Sequence, residues 1–154
     1  MLYIHNAKIT IFLKPEEYFG NKEMVEKIKN IFHSLVPIDF DKEKLQITEE
    51  EVTGFDERKI KILKFDITKE AHTKIFIKKL KEMLGEEQYS TLIKQKESRL
   101  DEDLFFYIRL DKEAMLKNVA ELTDNGDCVH IRLHIAAFPK NREAALKVIE
   151  EIFK

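Results

Sequence analysis

Residues 99–139 constrain the fold of this chain more than any other stretch. Two apolar runs, 104–110 and 128–138, read as strands; between them lie a charged segment of helical character, 111–117, and the turn Asp124-Asn125-Gly126-Asp127. Asn, Asp and Gly in such a turn supply the tight reversal that neighbouring strands need. Phe105, Phe106 and Tyr107 are consecutive, so a strand sends at least one of them to the opposite face from the others. In a sheet covered on both faces all of them would be core, and that is the expectation.

The rest of the chain supplies partners for these strands. In residues 7–14, Ala7, Ile9, Ile11 and Leu13 alternate with Lys8, Thr10 and Lys14, which is the period of a half-buried strand, although Phe12 breaks the polar face. Asn21 is placed to cap a helix carrying Met24, Val25, Ile28, Ile31, Phe32 and Leu35 at helical spacing as far as Pro37. Residues 45–53 and 59–67 read as a hairpin around Gly54-Phe55-Asp56-Glu57, with Ile60 and Ile62 on one side and Lys59, Lys61 and Lys64 facing Glu49, Glu50 and Glu51. Thr68 can cap the next helix, Ile75, Phe76, Leu80, Met83 and Leu84 form its buried stripe, and Gly85 stops it. A second helical run, 86–98, turns Tyr89, Leu92 and Ile93 inward. Pro139 ends the last strand, and Asn141 opens a closing helix with Ala145, Leu146, Ile149, Ile152 and Phe153 on one stripe.

This order of elements predicts a single α+β domain over residues 1–154, a mainly antiparallel sheet with helices packed on it. A chain of 154 residues is long enough to bury one substantial core. Lys+Arg (27) and Asp+Glu (29) nearly cancel, so the total field neither demands nor forbids a polyanionic partner, and local clustering decides. The abundance of Lys and Glu, with no Trp and one Cys, follows the trend of proteins from hot environments. Cys128 stands alone, so no internal disulfide forms, and no long uncharged apolar run or leader-like opening is visible; a cytoplasmic protein without membrane contact is expected.

The most one-signed surface is on the helix after Thr68. Lys74, Lys78 and Lys81 fall at i, i+4 and i+7, with Lys79 beside them and Glu82 in opposition; Lys94, Lys96 and Arg99 would extend a basic patch from the next helix. Phosphate groups are what such a patch suits. A metal site at Asp127, Cys128, His130 and His134 fails on distance, because two residues four apart on a strand stand ~13 Å from each other. His130, Arg132 and His134 instead share one polar strand face. Asp101 and Asp103 admit a metal-dependent nuclease, but no second acidic cluster can be placed beside them. Phosphate-cradling Gly-rich loops are absent, so no nucleotide cofactor is expected.

Arg99-Leu100-Asp101-Glu102, the run from Tyr107 through Ile108-Arg109-Leu110-Asp111-Lys112-Glu113 to Ala114, then Asp127, Val129, Ile131 and Phe138-Pro139 together resemble an archaeal family of small RNA-binding-domain proteins, described as predicted exosome-associated subunits. The resemblance implies a fold similar to that of the ribosomal protein that holds the 5S RNA, a homodimer, and RNA binding in which Arg99, Arg109 and Lys112 matter. This chain departs from the family pattern where Asp103-Leu104 stands in place of a Gly after the acidic turn, and at Glu113, where the pattern has Gln. The resulting expectation is a non-enzymatic protein that binds structured RNA through phosphate contacts from Lys74, Lys78, Lys81, Lys94, Arg99, Arg109, Lys112 and Arg132, with no metal or cofactor. The alternative is a dimeric protein-interaction or assembly module that meets RNA only through a larger complex.

Overall fold

The computed structural model describes residues 2–54 and 56–154; Met1, and Phe55 in the expected hairpin loop, lie outside the described residues. In chain order the elements are β1 (Ile4–Leu13), α1 (Pro15–Tyr18), α2 (Lys22–Leu35), β2 (Thr48–Thr53), β3 (Lys59–Ile67), α3 (Glu70–Leu84), α4 (Glu86–Lys94), α5 (Lys96–Arg99), β4 (Phe105–Asp111), α6 (Lys112–Leu116), β5 (Cys128–Ile135) and α7 (Arg142–Ile152). The strands form one sheet in the order β2-β3-β1-β5-β4, with every neighbouring pair antiparallel. The fold is α+β, as the pattern of elements predicts.

β1 sits at the centre because both its neighbours match its alternation. Ala7, Ile9 and Ile11 pair with Ile67, Phe65 and Leu63 of β3 and with Leu133, Ile131 and Val129 of β5, and all of these side chains are buried. Phe106, Ile108 and Leu110 of β4 continue the same apolar face. Against it pack Ile28, Ile31, Phe32 and Leu35 of α2, Phe76, Ile77, Leu80 and Leu84 of α3, and Ala145, Ile149 and Ile152 of α7, in one continuous core. Asn21 and Asn141 cap α2 and α7 as expected, accepting from the backbone N–H of Met24 at 3.0 Å and of Ala144 at 2.8 Å.

The other face of the sheet is uncovered. None of Lys8, Thr10, Phe12, Phe105, Tyr107, Arg109, His130, Arg132 or His134, which alternate with the core positions, is buried. This overturns the expectation that the aromatic triplet is all core: Phe106 is fully buried, whereas Phe105 is half-buried and Tyr107 is 42% exposed on the free face.

Smaller differences have local causes. The strand expected from residue 45 begins at Thr48, since Leu45 and Ile47 pack on the core before the ladder starts. Thr68 does not cap α3; the N-cap is Lys69, whose carbonyl accepts the first helical bond from Thr73 N at 2.9 Å. Ile75 is 39% exposed and Ile77 takes its place in the stripe, because 73, 76, 77, 80 and 84 are the positions that share a helical face. Gln95 interrupts the run 86–98 and separates α4 from α5. In β3 the inward residues are Leu63, Phe65 and Ile67, so Ile60 and Ile62 fall on the uncovered side. The expected acidic partners hold: Lys61 meets Glu49 at 3.4 Å, Lys64 meets Glu50 at 2.5 Å and Lys59 meets Glu51 at 3.5 Å.

Candidate nucleic-acid interface

On the uncovered face the registers of β1, β5 and β4 build three cross-strand rungs. Asn6 lies opposite His134 and then Phe105, Lys8 opposite Arg132 and then Tyr107, and Thr10 opposite His130 and then Arg109. Aromatic and cationic groups therefore alternate across a surface whose geometry is set by the rigid ladder beneath it. The Arg132 guanidinium lies over the Phe105 ring at 4.3 Å, His134 stacks on that ring at 4.5 Å, and Phe12 meets the edge of His130 at 5.5 Å. The Nε of Arg132 is buried without a hydrogen-bond partner. Burial, with His5, Lys140 and Arg132 nearby, lowers the His134 pKa and favours the neutral imidazole.

Tyr107 is anchored by its hydroxyl, which donates to Asp101 Oδ2 at 2.8 Å; Asp101 Oδ1 also accepts from the backbone N–H of Asp103 and of Phe105, each at 2.9 Å. Burial works against the Asp101 charge, but the bonds from Phe105, Tyr107 and Asp103 outweigh it and hold the carboxyl below its usual range. For Tyr107, burial and then the Asp101 bond push the phenol up, so it stays a donor. The acidic turn thus serves as a bracket for the β4 surface. Among the described residues no group of three or more His, Cys, Asp or Glu side chains is placed to hold a metal ion, and no helix is long and apolar enough to cross a membrane.

Beside β4 a cleft of about 460 Å³ is lined by Gln95, Ser98, Arg99, Tyr107, Arg109, Thr123 and Asp124. Gln95 Oε1 accepts from Arg99 Nε at 2.9 Å and Nη2 at 2.6 Å, while Arg99 Nη1 reaches the Tyr107 carbonyl at 3.1 Å. Arg109 donates to the Asp124 carbonyl at 3.3 Å. Burial lowers the Arg99 pKa, Asp124 opposes that shift and Arg109 adds to it; the guanidinium remains a cation at any ordinary pH. Two arginines facing a half-polar cleft form an anion-attracting edge to the sheet surface.

The sequence-predicted positions do not gather in one place. Arg99, Arg109 and Arg132 come together on the uncovered face and its edge. Lys74, Lys78 and Lys81 project from α3, whose other side packs on the covered face, so they lie across the molecule from the arginines. Lys94 is exposed in the last turn of α4. Lys112 is 4% exposed and points inward, its ammonium donating to the Phe12 carbonyl at 3.2 Å, to Asp127 at 2.7 Å and to Glu17 at 3.3 Å. Phe12, Phe105, Tyr107 and Lys8, which share this face, are not among the sequence-predicted positions. The signal was present: Val129, Ile131 and Leu133 alternate strictly with His130, Arg132 and His134, which a strand buried on both faces would not do.

A family model described as RNA binding matches residues 16–135. The chain belongs to this family. Over 150 residues it is 25% identical to the RNA-binding protein PAB1135 of Pyrococcus abyssi, covering 97% of this chain and 94% of that one. Among solved structures it is similar to protein AF2318 from Archaeglobus fulgidus, with a TM-score of 0.82 at 25% identity over 97% of this chain and 99% of that one. Mth689 from Methanothermobacter thermautotrophicus shares the fold, with a TM-score of 0.76 at 23% identity and 99% of both chains covered. The family match therefore extends well beyond residues 99–139 and takes in β4 and β5 of the uncovered face, while β1 lies before its first residue.

Proposed function

We propose that this domain is a non-enzymatic RNA-binding protein that holds RNA against the uncovered face of its sheet. One observation carries the reading: on three paired strands the exposed Tyr107 shares a rung with Lys8 and Arg132, the half-buried Phe105 and the Arg109 cation stand in the rungs on either side, and the exposed Phe12 ring lies at the end of β1 beside His130. Base faces stack on such rings whatever the sequence, and backbone phosphates take the guanidinium groups. Structured RNA with unpaired loop nucleotides offers both. The finer roles, association with the exosome or with ribosomal RNA and action as a homodimer, are supported by the family resemblance alone.

The test is a salt titration of binding to a labelled RNA hairpin. Replacing Arg109 or Arg132 by Ala should weaken binding and reduce the slope of log K against log salt by about 0.7–0.9 each. Tyr107→Leu should cost about 1–3 kcal/mol with the slope unchanged, as loss of a stacked base does. Neutralising Lys74, Lys78 and Lys81 together to Gln should change little. The assignment is refuted if the three sheet variants bind like the parent while the lysine variant loses affinity.

A further inference from the structure

The lysines of α3 border a second surface that the RNA reading does not use. A groove of about 650 Å³ runs between the start of β1, α3 and α4, and its lining combines Leu2, Ile4, Ile77 and Tyr89 with the rim lysines 74, 78 and 81. Its wall is pre-formed: the Tyr89 hydroxyl donates to the Lys81 carbonyl and so fastens α4 to the last turn of α3. The Lys81 ammonium lies 5.6 Å from the centre of the Tyr89 ring and covers that face. Lys74 has Glu70 at 3.3 Å, but both side chains are more than half exposed, at 58% and 60%, and such a pair is worth little. These cations are free to change partners.

We propose that this groove docks an acidic amphipathic helix of a partner protein. Three observations select that occupant. The floor is apolar, which suits anchoring Leu or Phe side chains and offers nothing to a sugar-phosphate backbone. The rim charge is of one sign apart from Glu82, so complementarity demands carboxylates. The three lysines also span about 10 Å along α3, two helical turns, which matches acidic residues repeating on a partner helix rather than the single carboxylate of a small amphiphile. Because α3 packs on the covered face of the sheet, a helix seated here leaves the RNA face free, and both ligands can be held at once.

The probe is a fluorescent helical peptide of about four turns with Leu at i, i+3, i+4 and i+7 and Glu flanking that stripe. Two controls accompany it: the same peptide with Lys for every Glu, and an acidic isomer with the Leu stripe scrambled. The acidic amphipathic peptide should bind at least tenfold tighter than either control, and Lys74→Glu combined with Lys78→Glu should lower its affinity about tenfold or more. Both lysines are exposed, so this variant should keep the parent's melting temperature. The hairpin RNA should neither compete with the peptide nor lose affinity for the double variant beyond the small effect of added negative charge. Equal binding of the peptides, no saturable binding up to about 1 mM, or survival of binding in the double variant overturns the proposal. Competition by RNA overturns it too and makes the groove a nucleic-acid surface. None of these outcomes depends on whether RNA occupies the sheet face.

Discussion

Lys112 provides the sharpest separation of a structural cation from a contact cation. Its ammonium ties the end of β1, through the Phe12 carbonyl, to Glu17 of α1 and to Asp127 just before β5, with its side chain 5% exposed. Replacing it by Met keeps the aliphatic stem and deletes the charge. Breaking a fully buried ion pair by removing one partner costs about 3–5 kcal/mol. Here the stranded carboxylates, Glu17 and Asp127, are 25% and 34% exposed and can rehydrate, which lowers the expected cost to about 2–3 kcal/mol. For a domain of this size that is a fall in Tm of roughly 4–12 °C.

The pH dependence has a definite sign. Burial lowers the Lys112 pKa, but the hydrogen bonds it donates to Asp127 and Glu17 more than restore it, so the net shift is upward. Burial raises the Asp127 pKa, and Lys112 and Lys14 outweigh that, so its net shift is downward. The Asp127 contribution is therefore present above about pH 4 and fades as pH falls through its lowered value. The Lys112 contribution is complete below about pH 10 and fades as pH rises through its raised value. The stability gap between parent and Lys112→Met, from urea unfolding followed by circular dichroism, should be flat between about pH 5 and 10 and close at both ends. RNA affinity and its salt slope, measured where both proteins are folded, should be unchanged. A variant of parental stability with a flattened salt slope would refute the reasoning and make Lys112 a phosphate contact.

Further predictions concern β4 and β5. Leu104 has φ +68 and is 5% exposed, so Leu104→Gly relieves about 1–2 kcal/mol of left-handed strain while losing a buried side chain, for a net loss of about 1–3 kcal/mol. Leu104→Ala, which keeps the strain and also loses the packing, should be the less stable of the two by about 1 kcal/mol; the opposite order in thermal melts would contradict the left-handed geometry. Burial pushes the Cys128 thiol up to about 11 despite the pull of Arg109, so a disulfide reagent at pH 8 should label the native protein only as fast as it unfolds. Labelling at the rate of a free thiol would show the site to be open.

What the sequence made legible was local. The alternation of β1, the Asn21 and Asn141 caps and the Gly85 stop each depend on residues within a few positions of one another, where propensity and capping act directly. Sheet order was not legible, because β1 meets β5 across roughly 120–130 residues with no local signal of that pairing. The free face was only half legible: the strict alternation of β5 implied it, but nothing local to Phe105-Phe106-Tyr107 placed Phe105 and Tyr107 on it. Lys112 was expected among the phosphate contacts on the family resemblance, and its neighbours in sequence, Asp111 and Glu113, gave no sign of a buried role. Its actual partners, Glu17 and Asp127, are 95 and 15 residues away. Leu104 is the instructive case, since the departure from the family's Gly fell at the left-handed residue where Gly is easiest to accommodate.

The central place of β1 also orders events in time. Its pairing with β3 can form once the chain reaches Ile67, but its other edge stays open until β5 is complete at Ile135. At typical synthesis rates of about 5–20 residues per second, those 68 residues take roughly 3–14 s, during which the edge of a very apolar strand has no partner. Every rung of the uncovered face spans β1, β5 and β4, so no chain ending before β5 carries that surface. A binding surface built on those rungs is assembled only when the last strand has joined the sheet, late in synthesis.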